Sequence, residues 1–205
     1  MEAINQTIMY FHKGGLVMWP LLFCSLMVIS ISIERFLFYK SVDSGQKFTN
    51  GYCALLRNTR TEDALDLAKE ASGQYAHIVA EAANISGNRM QKQAYLESQA
   101  GIFIAQLRDK LDYLGIIVTI SPLLGPLGTM VRMIGAVSIL NLQSGAPLAI
   151  TGGIGEALIA TATGLCVAIL SLCAHSYFSH RMDNIITNME QCFSALLEAE
   201  ARGEK

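Results

Sequence analysis

Two ionisable residues stand within apolar stretches of the sequence, where they could take part in chemistry. Glu156 begins the run "EALIATATGLCVAIL", and the next charged residue after it is Arg181. Arg132 interrupts the run "LLGPLGTMVRMIGAV". A charged side chain is costly in apolar surroundings unless it is paired or exchanges a proton. Ionisable residues of this kind indicate a role in proton or ion movement, and a fixed structural partner is the alternative.

Threonines accompany both charged residues. On a helical wheel Thr129 shares a face with Gly125 and Arg132, whereas Thr161 points about 140° away from Glu156. A threonine hydroxyl within an apolar helix commonly bonds to a carbonyl of the preceding turn. Each threonine could therefore have a local role or contribute to a polar surface.

The order of these residues predicts that the two charges can meet. If the two helices are antiparallel and Thr129 and Thr161 lie at one depth, Arg132 lies about 4.5 Å beyond that depth and Glu156 about 7.5 Å beyond it. We expect an intramembrane Arg132–Glu156 ion pair, within one protomer or between neighbours. The alternative is that the Arg132 side chain extends to the outer headgroups.

The elements that must position these residues are three windows without charge, at 14–33, 113–131 and 157–174. A helix needs about 20 largely apolar residues to cross a bilayer. The sequence therefore predicts an all-α integral membrane protein with three transmembrane helices, at about 14–38, 113–140 and 149–175. The first window lacks a basic leader and a small-residue cleavage site, which favours a retained span over a signal peptide.

The distribution of Lys and Arg predicts the orientation. These residues concentrate between 35 and 110, the link 141–149 has none, and the leader before the first span carries only Lys13. Because positive residues stay on the cytoplasmic side, we expect a periplasmic N-terminus and a cytoplasmic C-terminus. Residues 1–205 then form a single unit, with a cytoplasmic helical region at 40–112 and a cytoplasmic tail at 176–205.

Helical patterns fill the two cytoplasmic parts. Acidic residues follow Thr61 in the first turn of one predicted helix. From Arg89 the sequence runs into the second span without a Gly-Pro break, which favours one long helix. Apolar residues recur along the tail from Ile185 to Leu197, as in an amphipathic helix that continues the third span.

Composition excludes several classes of function. The chain is 52% hydrophobic and 16% charged, with a net charge of −2 and no basic patch for nucleic acid. Its five cysteines form no CxxC pair, so neither a disulfide framework nor a zinc site is predicted. The four histidines are scattered, and the pattern predicts no enzyme, cofactor or metal site; His175 and His180 are interpreted as interfacial residues.

Small residues indicate association with other helices in the membrane. Helix backbones can approach closely where side chains are small, and in lipid this packing drives association. In the third span such residues cover more than one face, which favours a homo-oligomer: Gly152, Gly153, Gly155, Ala157, Ala160, Ala162, Gly164 and Ala168.

Three ordered motifs resemble the MotA/TolQ/ExbB proton-channel family, and ExbB most of all. "GGLVMWPLLFCSLMVISISIERFLF" is similar to the first span of the family, with its Gly-Gly, Met-Trp-Pro and boundary Glu-Arg. "ISPLLGPLGTMVRMIGAV" resembles the second-span pattern around Leu-Gly-Thr, and "GIGEALIATATGLCVAI" resembles the third-span signature, the most specific of the three. The resemblance covers nearly the whole chain.

This resemblance implies a subunit of an inner-membrane motor driven by the proton-motive force. It implies a homopentamer around a dimer of single-span ExbD- or TolR-like subunits, whose membrane Asp is protonated and released. It also implies a TonB- or TolA-like energy transducer. By the same resemblance Thr129 and Thr161 face the partner helices, and Glu156 is the third-span acid at the partner-facing or inter-subunit surface.

Three departures from the family pattern leave other functions open. Arg132 stands where the family usually has Gly, Pro126 where Leu is common, and Leu170 where Pro is frequent. A TolQ-type envelope-integrity subunit, or another specialised motor, is the nearest alternative to an ExbB-type subunit. A non-conducting scaffold, in which Arg132 neutralises Glu156, is the alternative from a different class.

The predicted ion pair can be tested by coupling. We expect Arg132→Ala and Glu156→Ala to show an interaction energy in a double-mutant cycle, because removing one partner leaves the other charge unpaired in the membrane. The measurements are thermal unfolding in detergent and proton flux. Additive costs would show that the pair does not exist.

Overall fold

In a computed structural model, residues 15–140 and 147–203 are described. They form seven helices: α1 Met18–Val42, α2 Gln46–Arg57, α3 Thr61–Glu70, α4 Gln74–Asn84, α5 Arg89–Arg108, α6 Leu111–Leu140 and α7 Pro147–Gly203. The described residues contain no strand. Three helical stretches, within Met18–Arg57, Arg89–Gly135 and Leu158–Gly203, are long and apolar enough to cross a membrane. The predicted all-α architecture with three transmembrane helices is confirmed.

The chain divides into two compact units. The first, which we call the span unit, comprises the described residues within 1–33 and 110–176. The second, the helical unit, comprises the described residues within 34–109 and 177–205. The apolar windows of the sequence fall in the span unit, and α2 to α5 fall in the helical unit.

The span unit is organised by a close antiparallel contact between α6 and α7, which we call the seam. A Cβ atom built on Gly125 would lie 2.8 Å from the Cα of Thr161. A Cβ on Gly164 would lie 2.6 Å from the carbonyl oxygen of Ser121. Backbones in lipid associate through such close packing, so these two glycines set the distance between the helices.

Side-chain and backbone contacts extend the seam in both directions. Gly128 faces Ala160 and also Val17, just before α1, so the start of the first apolar segment packs here too. Towards the start of α6, the carbonyl of Leu114 accepts a hydrogen bond at 3.0 Å from the buried Ser171 hydroxyl of α7. This bond satisfies a polar side chain that would otherwise be unpaired within an apolar span.

The helical unit has its own core of aromatic and aliphatic side chains. Tyr52, Tyr75, Phe103, Ile185 and Met189 are each 0 or 1% exposed. Burial of large apolar side chains supplies the main stabilisation of such a unit. The tail therefore contributes two core residues to this unit, as its amphipathic pattern predicted.

The structure corrects the expectation of one long helix from Arg89 into the second span. The α5 helix ends at Arg108 and α6 begins at Leu111, and between them Lys110 has φ of +64°. An ending helix exposes its last carbonyl groups, which then need other donors. No Gly or Pro marks this break in the sequence, because the donors that satisfy the end of α5 come from a distant segment.

The carbonyls at the end of α5 are capped by α1. The guanidinium of Arg35, which is 3% exposed, donates to the carbonyl of Gln106 at 3.0 Å. The Tyr39 hydroxyl donates to the carbonyl of Leu107 at 2.8 Å. Together these two α1 side chains satisfy carbonyl groups at the end of α5.

Other local predictions agree with the structure. The α3 helix begins at Thr61, with acidic residues in its first turn. A single helix, α7, continues from the third span into the tail, as predicted. Near the end of α7, Glu200 forms an ion pair with Lys92, whose side chain is 10% exposed.

Gly164→Ala should destabilise the protein by about 1–3 kcal/mol, because the added methyl group meets a backbone carbonyl that cannot move aside easily. Thermal unfolding in detergent measures the effect. Gly135→Ala is the matched control, since a Cβ there meets nothing within 4 Å. In a helix that control should be neutral or stabilising by up to about 1 kcal/mol. Equal effects of the two substitutions would show that the seam is not close-packed at Gly164.

Candidate functional site

The two threonines predicted at the site are half-buried at the seam. The backbone of Thr161 lies against Gly125. Thr129 lies one turn beyond Gly125 on α6, and its hydroxyl donates to the carbonyl of Pro126 at 2.7 Å. The local bond considered for Thr129 is therefore present. Because the oxygen of a donating hydroxyl can still accept a hydrogen bond, Thr129 also offers an acceptor.

Two prolines leave backbone acceptors on the same part of α6. Pro122 and Pro126 lie inside the helix. Since proline has no N–H group, the carbonyls four residues earlier, those of Val118 and Pro122, receive no helical hydrogen bond from them. Within a span such backbone groups are tolerated where neighbouring groups or water satisfy them. The edge of the seam that carries Thr129 is thus richer in acceptors than its side chains alone indicate.

Arg132 lies near the start of the first apolar segment. A Cβ built on Gly15 would fall 2.5 Å from its Nε and 2.8 Å from its Cζ, so the guanidinium packs directly against the Gly15 backbone. Gly15 has φ of +74°, a conformation that other residues rarely adopt. This contact explains the glycine at this position, and no spacing pattern in the sequence connects the two residues.

Glu156 lies in α7, but its side chain is outside the described residues. The predicted Arg132–Glu156 ion pair therefore stays a prediction. Thr163, on the Glu156 face of the helical wheel, donates its hydroxyl to the carbonyl of Ile159 at 2.8 Å, a bond within its own helix.

The cysteines of the helical unit are unsuited to nucleophilic chemistry. Cys192 is fully buried, and desolvation raises the pKa of its thiol to about 12. Desolvation likewise raises the pKa of Cys53, whose thiol lies 3.7 Å from the carbonyl oxygen of Gln191. A thiol with a raised pKa is protonated at neutral pH and is a poor nucleophile. Among the described residues, no group of three or more His, Cys, Asp or Glu could hold a metal ion.

Comparison of the whole sequence with known protein families gives a match that covers α6 and most of α7. The model of the MotA/TolQ/ExbB proton channel family matches residues 67–191. The chain belongs to this family. The match includes Thr129, Arg132, Glu156 and Thr161, as well as all of α6 and most of α7. The family resemblance seen in the second and third spans is confirmed.

Similar proteins carry names of the same kind. A Synechocystis sp. protein, named as an ExbB-like biopolymer transport protein (ExbB-like 3), is 33% identical over 78% of this chain and 78% of its own length. The biopolymer transport protein exbB1 of Vibrio cholerae is 25% identical over 93% of this chain and 85% of its own length. These alignments cover most of the chain, including parts beyond the family-model match.

The contact between Gly15 and Arg132 predicts a conditional cost. Gly15→Ala should destabilise the protein by about 1–2 kcal/mol through its left-handed conformation, with an added cost from displacing the guanidinium. In an Arg132→Ala background only the conformational part should remain. Thermal unfolding of the four proteins in detergent measures the difference. An equal cost of Gly15→Ala in both backgrounds would contradict the contact.

Proposed function

We propose that this chain is an ExbB-type subunit of a proton-driven motor in the bacterial inner membrane. The motor uses the proton-motive force to power biopolymer transport across the outer membrane through a TonB-type energy transducer. The observation that carries the proposal is the family match over α6 and α7, where Thr129 and Thr161 lie half-buried at one seam. The names of the relatives support the biopolymer-transport part.

The site of proton movement is proposed at the threonine edge of the seam. Thr129, Thr161 and Glu156 face the partner helices, and Arg132 forms an ion pair with Glu156. One acid and one base do not make a complete relay across a membrane. A second subunit must therefore supply a titrating group, and a single-span ExbD- or TolR-like dimer with a membrane Asp fits this need.

The assembly proposed for the motor is a homopentamer around that dimer. Exposed apolar side chains on the described parts of the spans supply surface for lipid and for neighbouring copies; examples are Trp19, Phe23, Leu123, Met130, Leu158 and Ile169, each more than 59% exposed. Each proton that crosses 100 mV yields about 2.3 kcal/mol. Mechanical work on a transducer therefore needs many protons and a part that moves.

The proposed topology follows the positive-inside rule. The N-terminus is periplasmic, the spans lie at about 14–38, 113–140 and 149–175, and residues 40–112 and 176–205 are cytoplasmic. The helical unit has a buried core of its own, and carbonyl groups at the end of α5 accept hydrogen bonds from Arg35 and Tyr39. Both features suit a folded region in water, where buried backbone groups are paired within the protein.

Proton uptake into liposomes tests the proposal. Vesicles would contain this chain with the single-span protein encoded beside it, or this chain alone, under an imposed potential. We expect flux in the complex, abolished when the membrane Asp of the partner becomes Asn. A well-formed complex without flux would overturn the motor and favour the scaffold alternative. Flux that persists without that Asp would place the titrating group elsewhere.

A further inference from the structure

A shallow groove that contains ionisable and apolar side chains lies at the opposite end of the seam from Arg132. It is formed within the span unit by α6 and α7, and its lining residues are Asp112, Gly115, Ile116, Thr119, Ile120 and His175. A Cβ atom on Gly115 would lie 3.6 Å from Nε2 of His175, so the glycine lets the half-buried imidazole approach the α6 backbone. The sequence indicated only an interfacial residue at this position.

The groove is in register with the threonines. His175 follows Thr161 by two heptads, and Gly115 precedes Thr129 by two heptads. A straight helix drifts about 20° per heptad, so each pair stays within about 40° on its helix. Because α6 and α7 are antiparallel, these rotations of about 40° leave Gly115 and His175 on the edge of the seam that carries Thr129 and Thr161.

Hydrogen-bonding groups lie along this edge between the threonines and the groove. On α6 the carbonyls of Val118 and Pro122 lack the helical donors that Pro122 and Pro126 cannot supply. Thr119 is exposed, and its hydroxyl donates to the carbonyl of Gly115 at 3.1 Å. Acceptors therefore occur at short intervals between Thr129 and the groove, as a chain of water molecules requires.

We infer that His175 is the proton acceptor at the inner mouth of the path. This inference rests on the proposed function. A proton carried by water binds to a ring nitrogen of the neutral imidazole, and that water molecule is left neutral. The imidazolium then releases a proton to water on the inner side, and no electrons are exchanged. Asp112 is the other ionisable residue that lines the groove.

Chemical rescue tests the inference. In reconstituted complexes with the single-span partner, His175→Ala should lower proton flux about tenfold or more, a loss within the range for removal of a positioned acid-base group. Imidazole on the His175 side should restore much of the flux, because it can exchange protons in the emptied groove. Pyrazole, similar in shape but a much weaker base, should not.

Two further variants separate chemistry from structure. His180→Ala is the matched control, because His180 is an exposed histidine five residues further along α7, and its flux should match that of the wild type. His175→Gln keeps a polar side chain and is used if His175→Ala fails to assemble. It should show the same loss, although imidazole should restore less of the flux because the Gln side chain still occupies the groove.

The outcomes separate this inference from the proposed function. A wild-type complex that conducts, with His175→Ala or His175→Gln unchanged, would overturn the inference alone. A loss that imidazole does not restore would also overturn it, since it would assign His175 a structural role. A wild-type complex that conducts no protons would overturn the proposed function.

Discussion

The close approach of α6 and α7 is the constraint on which the rest of the span unit depends. In lipid the apolar side chains gain nothing by leaving the solvent, so helices are held by packing and by satisfied polar groups. Gly125 and Gly164 remove the side chains that would separate the backbones. Only at this distance can Thr161, at one end, and His175, at the other, lie directly beside the α6 backbone.

The seam also explains how a span can hold polar groups without an evident polar face. Its hydroxyls bond to backbone carbonyls: Ser171 donates to Leu114 across the seam, and Thr129 and Thr163 donate within their own helices. The exception among the described residues is Ser121, whose buried hydroxyl oxygen has no hydrogen-bond partner. Two prolines add acceptors that no hydropathy profile reveals. A path for protons can therefore be built from backbone groups, with few ionisable side chains.

Much of the architecture could be predicted from the sequence because its causes are local. Charge-free windows predict the spans, acids after Thr61 predict a helix start, and apolar periodicity predicts the tail. What failed was the continuous helix from Arg89, because its end is capped by Arg35 and Tyr39, roughly seventy residues earlier.

Two further features could not be predicted from the sequence because they are contacts between distant segments. The guanidinium of Arg132 packs against Gly15, and Gly115 accommodates His175, yet no spacing rule connects either pair.

Water accessibility along α7 tests most directly whether one edge of the seam forms the proton path. Single cysteines would replace Thr161, His175, Leu165 and Ile169 in a chain whose five native cysteines have been removed, and the assembled complex would be treated with a charged thiol reagent. The account predicts modification at 161 and 175, and little at 165 and 169, which lie on the exposed apolar face. Modification at 165 and 169 with protection at 161 and 175 would contradict it.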